Sequence, residues 1–109
     1  MEYLRRDDGE PLGRIVEAGD AWIALDRLGR RVTGPTDLAE AEAALDDLGL
    51  GYLAERYELE LEDGRVEPVR IVEVTADRVR VKREDGGAVG GPRTLWDLPN
   101  PAPPTLRRR

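Results

Sequence analysis

Thr33-Gly34-Pro35-Thr36-Asp37-Leu38-Ala39-Glu40-Ala41-Glu42-Ala43-Ala44-Leu45-Asp46-Asp47-Leu48-Gly49 is the stretch whose apolar residues recur most clearly at helical spacing. Leu38, Ala41, Leu45 and Leu48 form one stripe, while Glu40, Glu42, Asp46 and Asp47 fall away from it. Thr33-Gly34-Pro35 breaks whatever precedes. Thr36 or Asp37 caps the helix, and Glu40 stands three residues after Asp37, the spacing of a capping box. Gly49 supplies the left-handed stop, and Leu50 follows where the accompanying hydrophobic contact is made.

On both sides of this helix the period changes to two. Leu12 to Glu17 reads as a strand, Ala18-Gly19-Asp20 as a turn, and Ala21-Trp22-Ile23-Ala24-Leu25 as the returning strand. A loop around Leu28-Gly29-Arg30 brings Arg31-Val32 back as an edge strand. With a three-residue turn, Ile15 faces Ile23 and Val16 faces Trp22. Ile15, Ile23 and Leu25 then share one face, and Val16, Trp22 and Ala24 the other. One helix covers one face only. The Trp22 face therefore needs cover from the C-terminal part of the chain, or else it meets a partner.

After the helix, Tyr57, Leu59 and Leu61 alternate with Glu58, Glu60 and Glu62 up to the hairpin signal Asp63-Gly64. Val69 to Val74 is apolar on both faces save Arg70 and Glu73, which predicts a central strand. Pro68 marks a bulge or strand start. Thr75-Ala76-Asp77 turns the chain into Arg78-Val79-Arg80-Val81-Lys82. Beyond Glu84 the sequence is loop-like. Trp96 and Leu98 are expected to dock, and the prolines from Pro99 to Pro104 favour an extended tail with a frayed Arg107-Arg108-Arg109 end. The reading is an α+β fold: an N-terminal β-hairpin plus edge strand, one amphipathic helix, then a three-stranded antiparallel meander compatible with a small SH3-like half-barrel. Residues 1–98 are expected to form a single compact domain and 99–109 a Pro/Arg-rich tail. Arg14-Ile15-Val16-Glu17 is echoed by Arg70-Ile71-Val72-Glu73, a similarity to which hairpins converge easily.

The chain has 109 residues and a formal charge of −6. That charge resolves into −1 over residues 1–34, −9 over 35–63 and +4 over 64–109. Its composition excludes whole chemistries. Cys, His and Ser are all absent, so no thiol nucleophile, disulfide, Cys/His zinc site or Ser-His-Asp triad can be built. Sixteen of the seventeen basic residues are Arg, a bias of GC-rich genomes that is not in itself phosphate recognition. The start Met1-Glu2-Tyr3-Leu4-Arg5-Arg6 lacks the apolar run of a signal peptide, no run suits a bilayer, and a cytoplasmic protein is expected.

Carboxylates are what remains for catalysis or metal binding. Asp46 and Asp47 diverge by about 100° on a helix. The Glu58/Glu60/Glu62 row lacks the loop spacing of a calcium site and reads as a solvated face paired with Arg70, Arg78, Arg80 or Lys82. Gly49-Leu50-Gly51-Tyr52-Leu53-Ala54 follows a helix where a dinucleotide fingerprint follows a strand. The glycines of residues 86–91 lack the Lys and Ser/Thr of a P-loop, and Pro101-Ala102-Pro103-Pro104 is a weak groove ligand. The expectation is a protein without catalytic, cofactor or metal residues. It is read as a binding or accessory module whose contact residues are Val16, Trp22, Glu42, Asp46 and Asp47, and whose partner is another protein or a second copy of itself. An acidic inhibitor or immunity-type protein would present the same helix face. A nucleic-acid module using Arg78, Arg80, Lys82 and Arg83 of the third meander strand together with the arginine tail is the alternative, weakened by the lack of aromatics among them and by the neighbouring glutamate row.

Overall fold

A computed structural model describes residues 1–84 and 94–109. The glycine-rich segment of residues 86–91 singled out above lies outside the described residues. The chain divides into two compact units, Met1–Tyr52 and Leu53–Arg109. Among the described residues no helix is long and apolar enough to cross a membrane.

The first unit is a three-stranded antiparallel sheet, β1 (Glu2–Leu4), β2 (Pro11–Ala18) and β3 (Ala21–Leu25), with β2 in the middle, and helix α1 (Leu38–Leu48). α1 begins as its sequence dictates: Asp37 is the cap, its Oδ1 accepting the Glu40 amide at 2.7 Å. It stops at Gly49, whose φ of 61° a side chain would resist and whose amide donates to the Leu45 carbonyl. Ala41 and Leu45 are fully buried and join Leu12, Ile15 and Ala24 in one cluster, against which Tyr3, Trp22, Val32, Leu38 and Leu50 pack. Each fully buried Leu or Ile contributes about 1.5–3 kcal/mol. Leu12 and Ile15, of opposite parity, both reach this core because the β1–β2 register shifts between Tyr3 and Leu4.

Two sequence expectations need correcting here. The hairpin turn has two residues, Gly19-Asp20, with Ala18 opposite Ala21. Val16 therefore faces Ile23, Glu17 faces Trp22, and Ile15 faces Ala24. One residue fewer in the turn exchanges which side chains of the two strands share a face. Trp22 accordingly lies on the helix-packed side with Ile15 and Ala24, and Ile23 on the opposite side is only 6 % exposed. The edge contact expected of Arg31-Val32 is reduced to isolated bridges, Arg31 with Leu25 and Thr36 with Trp22; the third strand is β1. Between the two bridges the Thr33 hydroxyl accepts the Ala24 amide at 3.0 Å, where a ladder carbonyl would otherwise accept it.

A short 3-10 helix, Gly51–Ala54, runs across the division of the chain, and the second unit continues with β4 (Tyr57–Glu60), β5 (Val66–Val74), β6 (Arg78–Arg83), β7 (Leu95–Pro99) and β8 (Leu106–Arg108). Their order is β7-β6-β5-β4-β8, all antiparallel. The expected meander is there with β5 central. It is extended by β7, and the last strand, β8, pairs with the first, β4. Tyr57, Leu59, Val69, Val79, Val81 and Leu106 form its buried face. Pro68 marks neither a bulge nor a strand start: it pairs with Glu58, and the register shift falls between Ile71 and Glu73. Its carbonyl accepts the Glu84 amide just past the end of β6, so the missing donor also points where the ladder has ended. The tail is not extended throughout: it bends at Asn100-Pro101 and turns before β8, the Leu106 amide donating to the Pro103 carbonyl at 3.0 Å, and Arg107 and Arg108 are strand residues of β8 instead of a frayed end.

Candidate functional site

Position along α1 divides the acidic residues into two flanks of the exposed surface. Glu42 and Asp46, four residues apart, lie one above the other. Asp46 carboxylate oxygens accept the Tyr3 hydroxyl at 3.0 and 3.1 Å. Desolvation first, and then this bond to Asp46, push the Tyr3 phenol above its ordinary value. Asp47 turns about 100° away from Asp46. With Glu40, Ala43 and Ala44 it lines a shallow open hollow whose other wall is Thr33-Gly34-Pro35-Thr36. The Thr36 hydroxyl donates to Glu40 in that wall. α1 carries no basic residue, and among the described residues none of its four carboxylates forms an ion pair.

Trp22 and Val16, the other expected contacts, are both half-buried and point to opposite sides of the first sheet. Val16 and Trp22 therefore do not share one face of the sheet. Trp22 is also held by its backbone, which exchanges bonds of 2.8 and 2.9 Å with Thr36.

Three of the four residues of the nucleic-acid alternative are engaged by carboxylates. Arg78 meets Glu73 at 2.6 Å, Arg80 meets Asp97 at 2.7 Å, and Arg83 meets Glu67 at 3.2 Å while its guanidinium lies 5.9 Å from the Trp96 ring centroid. The Arg80 bond holds the Asp97 carboxyl below its ordinary value. Lys82 has no carboxylate partner among the described residues. The acidic row is answered from another strand than expected: Glu58 and Glu60 meet Arg107 of β8 at 3.4 and 3.5 Å. Sequence reading could not find this, because β8 was not visible as a strand.

Arg56, Arg70 and Arg109 are exposed and without ion pairs among the described residues; Arg70 does not pair with the glutamate row as expected, and Arg56 was not singled out by the sequence. Arg70 stands directly opposite Lys82. Elsewhere, no group of three or more Asp, Glu, His or Cys residues among the described residues converges as a metal ion would require. Comparison with known proteins gives no match: no family model, no curated protein and no solved structure aligns significantly with the chain.

Proposed function

We propose that the protein is a non-catalytic binding module that recognises a protein partner of basic surface through the acidic outer face of α1. The observation that carries this reading is local. On the second unit the carboxylates of Glu55, Glu58, Glu60, Asp63, Glu67, Glu73 and Asp97 each sit within ion-pair distance of an arginine. Among the described residues Glu40, Glu42, Asp46 and Asp47 have no such cation, and although Glu62, Asp77 and Glu84 of the second unit also lack one, only α1 gathers four such carboxylates on an element without a basic residue, so it projects a negative field that a cationic surface would complement. The helix is held rigidly by its cap and its buried stripe, which favours recognition without an ordering cost. Catalysis is disfavoured by chemistry: without Cys, His or Ser, general acid–base work falls to the carboxylates, the single Lys82 and three tyrosines, and the carboxylates of α1 stand at or near the surface.

The test is a triple charge reversal, Glu42→Lys, Asp46→Lys and Asp47→Lys, with circular dichroism to verify folding. Tagged wild type and variant are compared in capture from an extract of the source cells at physiological salt. A protein held by wild type and released by the variant supports the reading; an identical retained set for both sinks it.

A further inference from the structure

We infer that the outer face of the second sheet carries a binding site for the phosphate backbone of a nucleic-acid duplex, built from Arg109, Arg56, Arg70 and Lys82. It rests on a different surface from the α1 reading and stands independently of it. The row follows from register. Arg70 and Lys82 are partners across β5 and β6. One step along the Tyr57–Val69 register sets Arg56 beside Arg70, and the Arg109 amide donates to the Arg56 carbonyl at 2.9 Å, continuing the β4–β8 ladder. Side chains alternate along a strand, so these four share the face opposite to buried Tyr57, Val69 and Val81.

Four cations thus cross four neighbouring strands in one line. At 4.7–4.9 Å between strands the line is about 14 Å long, the reach of a few successive phosphates. None of the four has a carboxylate partner among the described residues. Of the carboxylates that alternate onto this face, Glu58 meets Arg107 at 3.4 Å, while Glu84, two residues beyond Lys82, has no ion pair among the described residues and stands outside ion-pair distance of the row. Elsewhere on this sheet Arg78, Arg80, Arg83, Arg107 and Arg108 are all paired, so among the described residues of the sheet the unpaired cations are collected in this row. Like charges held side by side repel, a cost that a bound polyanion would remove. Arginine forks match phosphate oxygens. A duplex is favoured over a single strand because Tyr57 and Trp96 turn to the other face, leaving the row no aromatic on which to stack bases. Contacts of this kind read no sequence. The overall charge of −6 opposes binding weakly, since at physiological salt it is screened beyond about 8 Å.

The experiment is fluorescence anisotropy with a labelled 20-base-pair DNA duplex and the full chain, at salt rising from about 50 mM. Binding of two to four phosphates gives a log–log salt slope of about −1.8 to −3.6. Arg70→Glu with Lys82→Glu is expected to weaken binding more than tenfold, and the milder Arg70→Gln with Lys82→Gln to flatten the slope by about 1.8. Arg65→Glu, in the β4–β5 turn, is expected to leave both unchanged. No binding at the lowest salt, or binding that the Gln pair leaves intact, overturns the inference. So does tighter binding of a single-stranded homopolymer, or displacement of the duplex by polyglutamate at equal charge, which would assign the row to an acidic peptide.

Discussion

Gly13 lies so close to Leu25 that a Cβ built on it would stand 2.1 Å from the Leu25 carbonyl oxygen and 3.1 Å from a Leu45 methyl. The glycine sits on the central strand of the first sheet, beside the register shift that lets Leu12 turn inward. A backbone oxygen cannot yield as a side chain does. Gly13→Ala is therefore expected to destabilise the protein by about 3 kcal/mol or more, read as a fall in the urea midpoint. Gly51→Ala, with open space around it, should leave the midpoint nearly unchanged.

Trp22 packs on the cluster of Leu12, Ile15, Ala24, Ala41 and Leu45 from its half-buried position. Trp22→Ala is expected to cost about 2 kcal/mol, less than a fully buried tryptophan would. Leu4→Ala, at a side chain 46 % exposed, should cost well under 1 kcal/mol. Equal losses for the two would contradict the packing described.

Asp37→Ala removes the acceptor of the Glu40 amide and is expected to destabilise by about 1 kcal/mol. Asp37→Asn, which keeps an oxygen at that place, should restore most of the loss. Thermal unfolding followed by helix ellipticity checks both.

Two aspartates give opposite pH behaviour. The bond from Arg5 and then the Glu10 amide bring the Asp8 carboxyl down to about 2. Its contribution to stability is present above the unfolded value near 4 and is lost as pH falls through about 2. Desolvation raises the Asp26 carboxyl, although the Leu28 and Arg30 amides donate to it at 2.9 and 3.0 Å. Its contribution is present below the unfolded value and is lost as pH rises through the raised one. Asp26→Asn, keeping the acceptor, should remove that loss, while Asp8→Asn should flatten the acid limb. Carboxyl titration by NMR with Asp26 below Asp8 would contradict both.

The helix was legible because its signals are local. Cap, stripe and stop lie within seventeen residues of one another, and Asp37 and Gly49 act on their immediate neighbours. The meander was legible for a similar reason, with alternation and turn residues adjacent along the chain. Strand β8 was not. Three residues, Leu106-Arg107-Arg108, carry no period of their own, and they become a strand because β4 offers an unpaired edge. The same distance in sequence hid the ion pair of Arg107 with Glu58 and the alignment of Arg56 with Arg109.

By itself, then, the sequence determined the α+β class, the bounds of the helix, the order of the hairpins and the chemistries that 109 residues without Cys, His or Ser cannot perform. Tertiary structure alone decided which residues face one another. A single residue in the Gly19-Asp20 turn moved Trp22 from opposite Val16 to opposite Glu17, and pairing across the second sheet neutralised Arg78 and Arg80 while leaving Arg70 and Lys82 free of carboxylates among the described residues. Periodicity fixes the face of a side chain within its own strand, whereas the register between strands depends on turn length and on partners far away in the chain.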